Sequence, residues 1–222
     1  MKPKTISELR SHLFRCVALA NNDSEIGLPA SIQSIRGMSG RKNRNFLYHL
    51  CRMDPCSYLE VGTWQGSTLV SAAFGAKHKE GRSFVGIDNF SQFDKDKKAE
   101  KELHRNLKTH VPDVNVTTFN RDCWDVDPKI FKKMFNIYNY DGSHKTVDQK
   151  KALLHFRPCL APVFIFVCDD WNFPPARLGT FAGIKEAKLT VEASVEIHTP
   201  GHRNSCSDDW WNGTYAAVLS TN

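Results

Sequence analysis

The chain has 222 residues, 41% apolar and 24% charged, an ordinary balance for one globular domain with at most a small appendage. Its formal charge is +6, and residues 1–56, with nine Lys/Arg against four Asp/Glu, carry most of that excess. No apolar run reaches the roughly 18 residues of a membrane span, "MKPKTISELRSHLFRC" lacks the apolar block of a signal peptide, and the seven cysteines form no C-x-x-C pair, so a disulfide framework and a zinc site are disfavoured and a reducing, cytoplasmic setting is expected.

Residues 5–20 carry apolar positions at helical spacing (Ile6, Leu9, Leu13, Val17, Leu19) behind a cap at Thr5 or Ser7. "NNDSEIGLPASIQSIRGMSG" reads as a loop with turns at Gly37 and Gly40. "RKNRNFLYHLCRM" reads as a second helix, stopped at "DPC". From Ser57 the rhythm changes to strand and helix in alternation. Strands are predicted at 57–62, 83–88, 114–119, 134–140 and 162–168, and helices at 66–77, 95–110, 128–133, 146–157 and 175–187. This alternation implies a parallel sheet with right-handed crossovers. Val163–Val167 is apolar on both faces, as a strand between helical layers should be. "LTVEASVEIHT" and "WWNGTYAAVLS" then alternate like an antiparallel pair at the sheet edge. The sum is an α/β fold of about seven strands, with residues 1–56 as an N-terminal helical cap on a domain of residues 57–222. The basic cap could attract an anionic substrate, a phosphate or nucleic acid, but its charges are not interleaved with aromatics, and a solvated helix surface is the plainer reading.

The first strand-to-helix turn is "EVGTWQGST", Glu60 to Thr68. Gly62 permits a tight turn and close approach of a ligand, Gly66 lets the helix start against the strand, and Ser67 or Thr68 can serve its free N–H groups. The spacing is G-x-x-x-G, with bulky Trp64 in place of a middle glycine, so the G-x-G-x-x-G of NAD-binding turns is absent. An acid at position 60 would repel a pyrophosphate and favour a ligand bearing an ammonium or sulfonium. Asp88 ends the second strand, 26 residues after Gly62, where a carboxylate can accept hydrogen bonds from ribose hydroxyls. Asp122 follows the third strand and could meet an adenine amino group, with Cys123 and Trp124 along the ring. Strand-end acids also cap helices, and a purely structural turn is the competing reading.

On "YLEVGTWQGST", "FVGIDNF", "RDCW", "NYDGSH" and "FVCDDWN", the chain resembles the class I S-adenosylmethionine-dependent methyltransferases over residues 57–219. The resemblance implies a Rossmann-like seven-stranded, mostly parallel sheet with an antiparallel last strand and helices on both faces. It implies that Glu60 and the turn of Gly62, Thr63, Trp64, Gly66 and Ser67 face the methionine part of the cofactor. Asp88 and Asn89 would face the ribose, Asp122 and Cys123 the adenine, and Asp141 the cofactor from the fourth strand.

A second group of acids stands at the next two strand ends, Asp141 in "NYDGSH" and Asp169 and Asp170 in "VCDDW". Adjacent strand ends lie about 5 Å apart, so the three carboxylates can converge, and a hard divalent cation would relieve their repulsion. Oxygen ligands suit Mg²⁺ or Ca²⁺ better than Zn²⁺. The pattern resembles metal-dependent O-methyltransferases of the catechol and caffeoyl-CoA kind, and sugar O-methyltransferases of the macrocin type with their cephalosporin-hydroxylase-like relatives. That resemblance implies Asp141, Asp169 and Asp170 as metal ligands. It also places His144 where the catechol enzymes carry a lysine base, and histidine titrates in a range that suits the role. Without a metal, Asp141 reads as a strand-end acid on the cofactor side, and Asp169–Asp170 and His144 read as helix caps. The chain departs from these families at "RPCLAP", where they carry a glycine pair, and at Asn136 and Asn139 in a central strand.

The expected function is therefore methyl transfer from S-adenosylmethionine to a small-molecule hydroxyl on a sugar or phenol, assisted by Mg²⁺ or a similar ion. Substrate choice is expected in the cap and in residues 206–213, where Trp210 and Trp211 could stack on a ring, with Asn172 as a further ligand or contact. A NAD-dependent enzyme and a non-catalytic nucleotide- or nucleic-acid-binding module are the rivals. No membrane partner is expected, and a homodimer is compatible with the sequence.

Overall fold

The computed structural model describes residues 4–22, 27–78, 81–132, 134–200 and 209–221. Three helices precede the first strand: α1 (Ile6–Asn21), the short α2 (Ala30–Gln33) and α3 (Arg41–Leu50). Then follow β1 (Ser57–Val61), α4 (Ser67–Gly75), β2 (Ser83–Asp88), α5 (Ala99–His110) and β3 (Val116–Asn120). β4 (Phe135–Tyr140), α6 (Thr146–Phe156), β5 (Leu160–Asp169), α7 (Pro174–Glu186), β6 (Leu189–Ile197) and β7 (Thr214–Thr221) complete the chain.

Local chemistry sets several of these limits. Thr5 and Glu8 form a reciprocal capping box at α1: the Thr5 hydroxyl accepts from the Glu8 N–H, and the Glu8 carboxylate accepts from the Thr5 N–H at 2.8 Å. α5 starts at residue 99 rather than 95 because the Asp94 carboxylate accepts from the N–H groups of Lys98 and Ala99. The helix expected at 128–133 is one 3₁₀ turn, Pro128–Ile130, capped by Asp127, and Lys133 lies outside the described residues.

The sheet order is β3-β2-β1-β4-β5-β7-β6. β7 inserts between β5 and β6 and runs antiparallel to both, while the other neighbouring pairs are parallel. Strand order reverses at β1, which has β2 on one side and β4 on the other, so a crevice opens outside the carboxyl ends of β1 and β4.

Side chains alternate across the strands, so each face builds its own core. On one face Tyr58, Ile137, Ile165, Val167 and Val218 pack against α1, α3 and α4 through Leu9, Leu13, Phe46, Leu50 and Leu69. On the other face Leu59, Tyr138, Tyr140, Phe164 and Phe166 pack against α6 and α7 through Leu153, Phe156 and Ile184. α1 and α3 thus share one continuous core with the sheet. Among the described residues no helix is long and apolar enough to cross a membrane.

Because Leu13 is wholly buried in that shared core, Leu13→Ala should cost about 2–5 kcal/mol of stability. Chemical denaturation checks this: a single cooperative transition at lower denaturant is expected, whereas a separate early transition of α1 would mean that the cap folds independently.

Candidate functional site

The turn after β1 is built by backbone contact. Gly62 has φ +90°, and a Cβ added there would lie 1.9 Å from the backbone oxygen of Asp141, so only glycine lets this turn meet the end of β4. Asp141 N–H donates to Val61 O at 2.9 Å, and Gly62 N–H to Ile87 O at 2.9 Å. Trp64 adopts φ +41°, and its N–H donates to Asp88 Oδ2 at 2.7 Å. Asp88 Oδ1 accepts from the Phe90 N–H at 2.7 Å. Among the described residues each Asp88 oxygen therefore keeps a free lone pair. The Thr63 hydroxyl and the Trp64 indole N–H are buried without a hydrogen-bond partner among the described residues.

Glu60 points from β1 toward the α3 and α4 side, as Tyr58 does, and is wholly buried. Its Oε1 accepts from the Thr68 hydroxyl at 2.8 Å. Its Oε2 accepts from the Tyr58 hydroxyl and from Asn139 Nδ2, the latter at 3.2 Å. Register explains the last bond, since Glu60 and Asn139 are direct cross-strand partners. Burial pushes the Glu60 carboxyl up to about 7, against the hydrogen bonds that favour the charge. The second asparagine of β4, Asn136, caps the strand start, accepting from Ser57 N–H and donating to Pro55 O.

A narrow cleft lies over this network. Thr68, Asn139, Asp141, Asp169 and Thr214 line it with Asn43 of α3, and Phe46, Leu47 and Val167 add an apolar wall. Arg44 holds the overlying loop. Its buried guanidinium donates to Ser39 Oγ at 2.9 Å and to the carbonyls of Gln33 and Ile35 at 2.8 and 2.7 Å, and burial lowers its pKa to about 10. Ser39 Oγ in turn stands 3.2 Å from Ser67 Oγ at the start of α4.

Asp141, His144 and Asp170 present one ligand atom each within 4.8 Å of one another. His144 Nε2 lies 2.8 Å from Asp170 Oδ2 and 3.9 Å from Asp141 Oδ1. That atom is buried, yet its short contact is not aligned as a hydrogen bond. Burial alone would lower the His144 pKa, but the adjacent carboxylates of Asp141 and Asp170 outweigh it and raise it to about 10. Burial, with the charge of Asp170, lifts Asp141 to about 6. The acidic set that converges is thus Asp141 and Asp170 with His144, and Asp169 is not in it. Consecutive strand residues project to opposite sides, and Asp170 turns away further at φ +54°, where Asn212 Nδ2 donates to its Oδ1. Asp169 turns to α3, and its Oδ1 accepts from Asn43 Nδ2 at 3.3 Å.

A family model described as "Methyltransferase domain" matches residues 59–171, from β1 through the Asp169–Asp170 strand end. The chain belongs to this methyltransferase family. No curated protein matches it in sequence. Among solved structures it is similar to an O-methyltransferase from Bacillus cereus in complex with SAH, at 14% identity and TM-score 0.59, over 99% of this chain and 93% of that one. It is also similar to the O-methyltransferase TomG from Streptomyces achromogenes, involved in tomaymycin synthesis and in complex with SAM, at 13% identity and TM-score 0.57, over 99% and 91%. SAH-bound methyltransferase PaMTH1 from Podospora anserina gives 14% identity and TM-score 0.58, over 95% and 88%. These likenesses establish the class I methyltransferase fold.

In this methyltransferase, Asn89 Nδ2 reaches Asp122 Oδ2 at 3.4 Å, and Asp122 Oδ1 accepts from the Trp124 N–H at 3.0 Å. Cys123 is half-buried, with its thiol pushed up to about 12 by burial. Trp210 is core: it packs on Phe46 and donates from Nε1 to Asn21 Oδ1 at 2.9 Å. Trp211 is half-buried. Asn172 is engaged with Thr199, which closes the end of β6. Residues 206–208 of the expected substrate segment lie outside the described residues. Sequence reasoning missed Asn43, Arg44 and Thr214. In "RKNRNFLYHL" Asn43 and Arg44 are polar and carry no apolar signal of burial, and only the docking of α3 on the sheet buries them.

Glu60 gives a pH test. Its folded-state pKa is raised from 4.5 to about 7, so the fold disfavours its charge, and stability falls as pH rises through that interval. Glu60→Gln removes this titration. Its melting temperature should decline less than that of the unaltered chain between about pH 5 and 8; parallel declines would show that Glu60 is not the titrating group.

Proposed function

We propose that the protein transfers a methyl group from S-adenosylmethionine to the hydroxyl of a small molecule, with a divalent ion at Asp141, Asp170 and His144. The observation that carries this reading is the single rim at the carboxyl ends of β1, β2, β4 and β5. It holds the Gly62 turn, Asp88, Asp141 and Asp170 together, within the matched residues 59–171. The SAH and SAM in the Bacillus cereus, Podospora anserina and Streptomyces achromogenes structures support the donor.

In this reading the free lone pairs of Asp88 take the ribose hydroxyls, and the Gly62–Gly66 turn lies under the thioether end. Methyl transfer breaks the carbon–sulfur bond as the carbon–oxygen bond forms. Orientation alone can supply up to roughly 7–11 kcal/mol of the barrier lowering. The hydroxyl proton leaves to solvent, because the donor atoms of Asp141, Asp170 and His144 would be taken up by the ion. The buried, unaligned His144 Nε2 beside two carboxylates fits a cation ligand, and oxygen and imidazole donors suit Mg²⁺ or a transition ion. Such an ion would supply Lewis acidity to the acceptor oxygen.

Two substitutions separate the roles. Asp88→Ala should weaken SAH binding by about tenfold or more, as loss of a charge-assisted hydrogen bond does, measured by calorimetry. Asp170→Ala should leave SAH binding within about twofold while abolishing turnover and its sensitivity to EDTA. A fully active, EDTA-insensitive Asp170→Ala protein would remove the metal from the scheme, and failure of the unaltered chain to bind SAH would remove the donor.

A further inference from the structure

α6 and α7 lie side by side on one face of the sheet. A Cβ on Gly179 would lie 2.4 Å from Thr146 O, and one on Gly183 2.9 Å from Lys150 O, so the two helices touch backbone to backbone and run parallel. The buried residues of α7 are Ala176, Gly179, Thr180, Gly183 and Ile184, and those of α6 are Gln149, Ala152, Leu153 and Phe156. At about 100° per residue, Pro175, Leu178 and Lys185 then point outward from α7, and Val147 outward from α6. Val147 is 68% exposed, Leu178 64% and Phe181 44%. Pro174 and Pro175 are exposed as well. Trp171 and Tyr215 brace the Phe181 ring from the sheet side. An apolar stripe thus crosses the outer surface of both helices.

Its margin is basic. Lys145, Lys185 and Lys188 are exposed and have no ion-pair partner among the described residues. The acids of the two helices are engaged: Asp148 accepts from Ser143 Oγ at 2.6 Å, and Glu186 pairs with Lys150 at 3.0 Å. This combination selects the occupant. A second copy would set the lysine-rimmed face against an identical one, where like charges repel. A peptide-binding groove partly buries its apolar walls, whereas Val147 and Leu178 stand proud of the surface. An anionic lipid surface satisfies both parts, because apolar side chains enter the headgroup boundary while lysines meet phosphates. The contact is peripheral, since among the described residues no helix is long and apolar enough to cross a membrane.

We propose that the outer face of α6 and α7 docks on an anionic lipid surface, with Val147, Leu178 and Phe181 entering the headgroup layer and Lys145, Lys185 and Lys188 meeting lipid phosphates. The sequence led to no expected membrane partner, because the exposure of Val147 and Leu178 follows from the α6–α7 contact at Gly179 and Gly183. Both helices begin at the rim of the candidate site, two residues after His144 and four after Asp170. Docking therefore holds the crevice beside the lipid surface. It does not depend on the methyl-transfer reading.

The test is co-sedimentation of the full chain with vesicles of phosphatidylcholine and phosphatidylserine, and with vesicles of phosphatidylcholine alone. The unaltered chain should bind the mixed vesicles about tenfold tighter or more, and release them as salt rises. Lys145→Gln, Lys185→Gln and Lys188→Gln together should weaken binding by about a hundredfold. Val147→Ser with Leu178→Ser should weaken it by about tenfold. Arg10→Gln with Arg15→Gln, on α1 at the opposite face of the sheet, should change it less than about twofold. Melting curves establish folding of each variant. No binding to mixed vesicles, equal binding to both kinds, or binding that the arginine pair removes and the lysine set does not, overturns the proposal. Self-association without vesicle binding, abolished by Leu178→Ser, gives the face to a second copy instead. Should a variant not fold, acetylation of the unaltered chain by acetic anhydride decides: mixed vesicles protect Lys145, Lys185 and Lys188, and protection at other lysines alone refutes the docking face.

Discussion

One buried carboxylate organises this molecule. Glu60 has no contact with solvent, yet it accepts hydrogen bonds from β1 through Tyr58, from α4 through Thr68 and from β4 through Asn139. Placing a charge there is unfavourable, as its elevated pKa shows. The three donors offset that cost only if the two strands and the helix keep one relative position. The network therefore fixes the crevice at the strand-order reversal, and the two polar residues it holds, Thr68 and Asn139, form part of the cleft lining.

The N-terminal helices are part of the same construction. α3 supplies Asn43 to the cleft and Arg44 to the loop above it, and the last strand supplies Thr214. The segment before β7 reaches back to α3: Lys42 N–H donates to Asp209 O at 3.1 Å, and Lys42 Nζ pairs with the Asp209 carboxylate at 3.0 Å. Asn212 then holds Asp170. Elements distant in sequence thus orient each acid at the end of β5, one toward α3 and the other toward His144. Division of labour between Asp169 and Asp170 follows from strand geometry, since neighbours on a strand cannot share a side without a change in backbone direction.

His144 shows why identity alone does not give a role. A histidine in water titrates near neutrality, which suggests a base. Between two carboxylates and without an ion its pKa is raised to about 10, so it must lose that proton before its Nε2 can hold a cation.

Much of the architecture was legible in the residues themselves. Strand and helix alternation, the acid–glycine turn at residues 60–66 and the strand-end acids at 88, 141, 169 and 170 are local patterns, carried by side-chain period and by the steric freedom of glycine. Asn136 and Asn139 looked misplaced in a central strand, and only the register against Ser57 and Glu60 gave each its partner. Burial of Asn43 and Arg44 was equally hidden, because a helix reveals its buried face by apolar period and these positions are polar. The sequence by itself determined which elements form, their order and which residue types gather at the sheet's carboxyl edge, since those depend on near neighbours along the chain. Only the tertiary structure decided which acid meets which partner, the state of Glu60 and His144, and the cleft shared by α3, β5 and β7. Those depend on burial and on contacts between groups up to 171 positions apart in the chain, where local propensity carries no information.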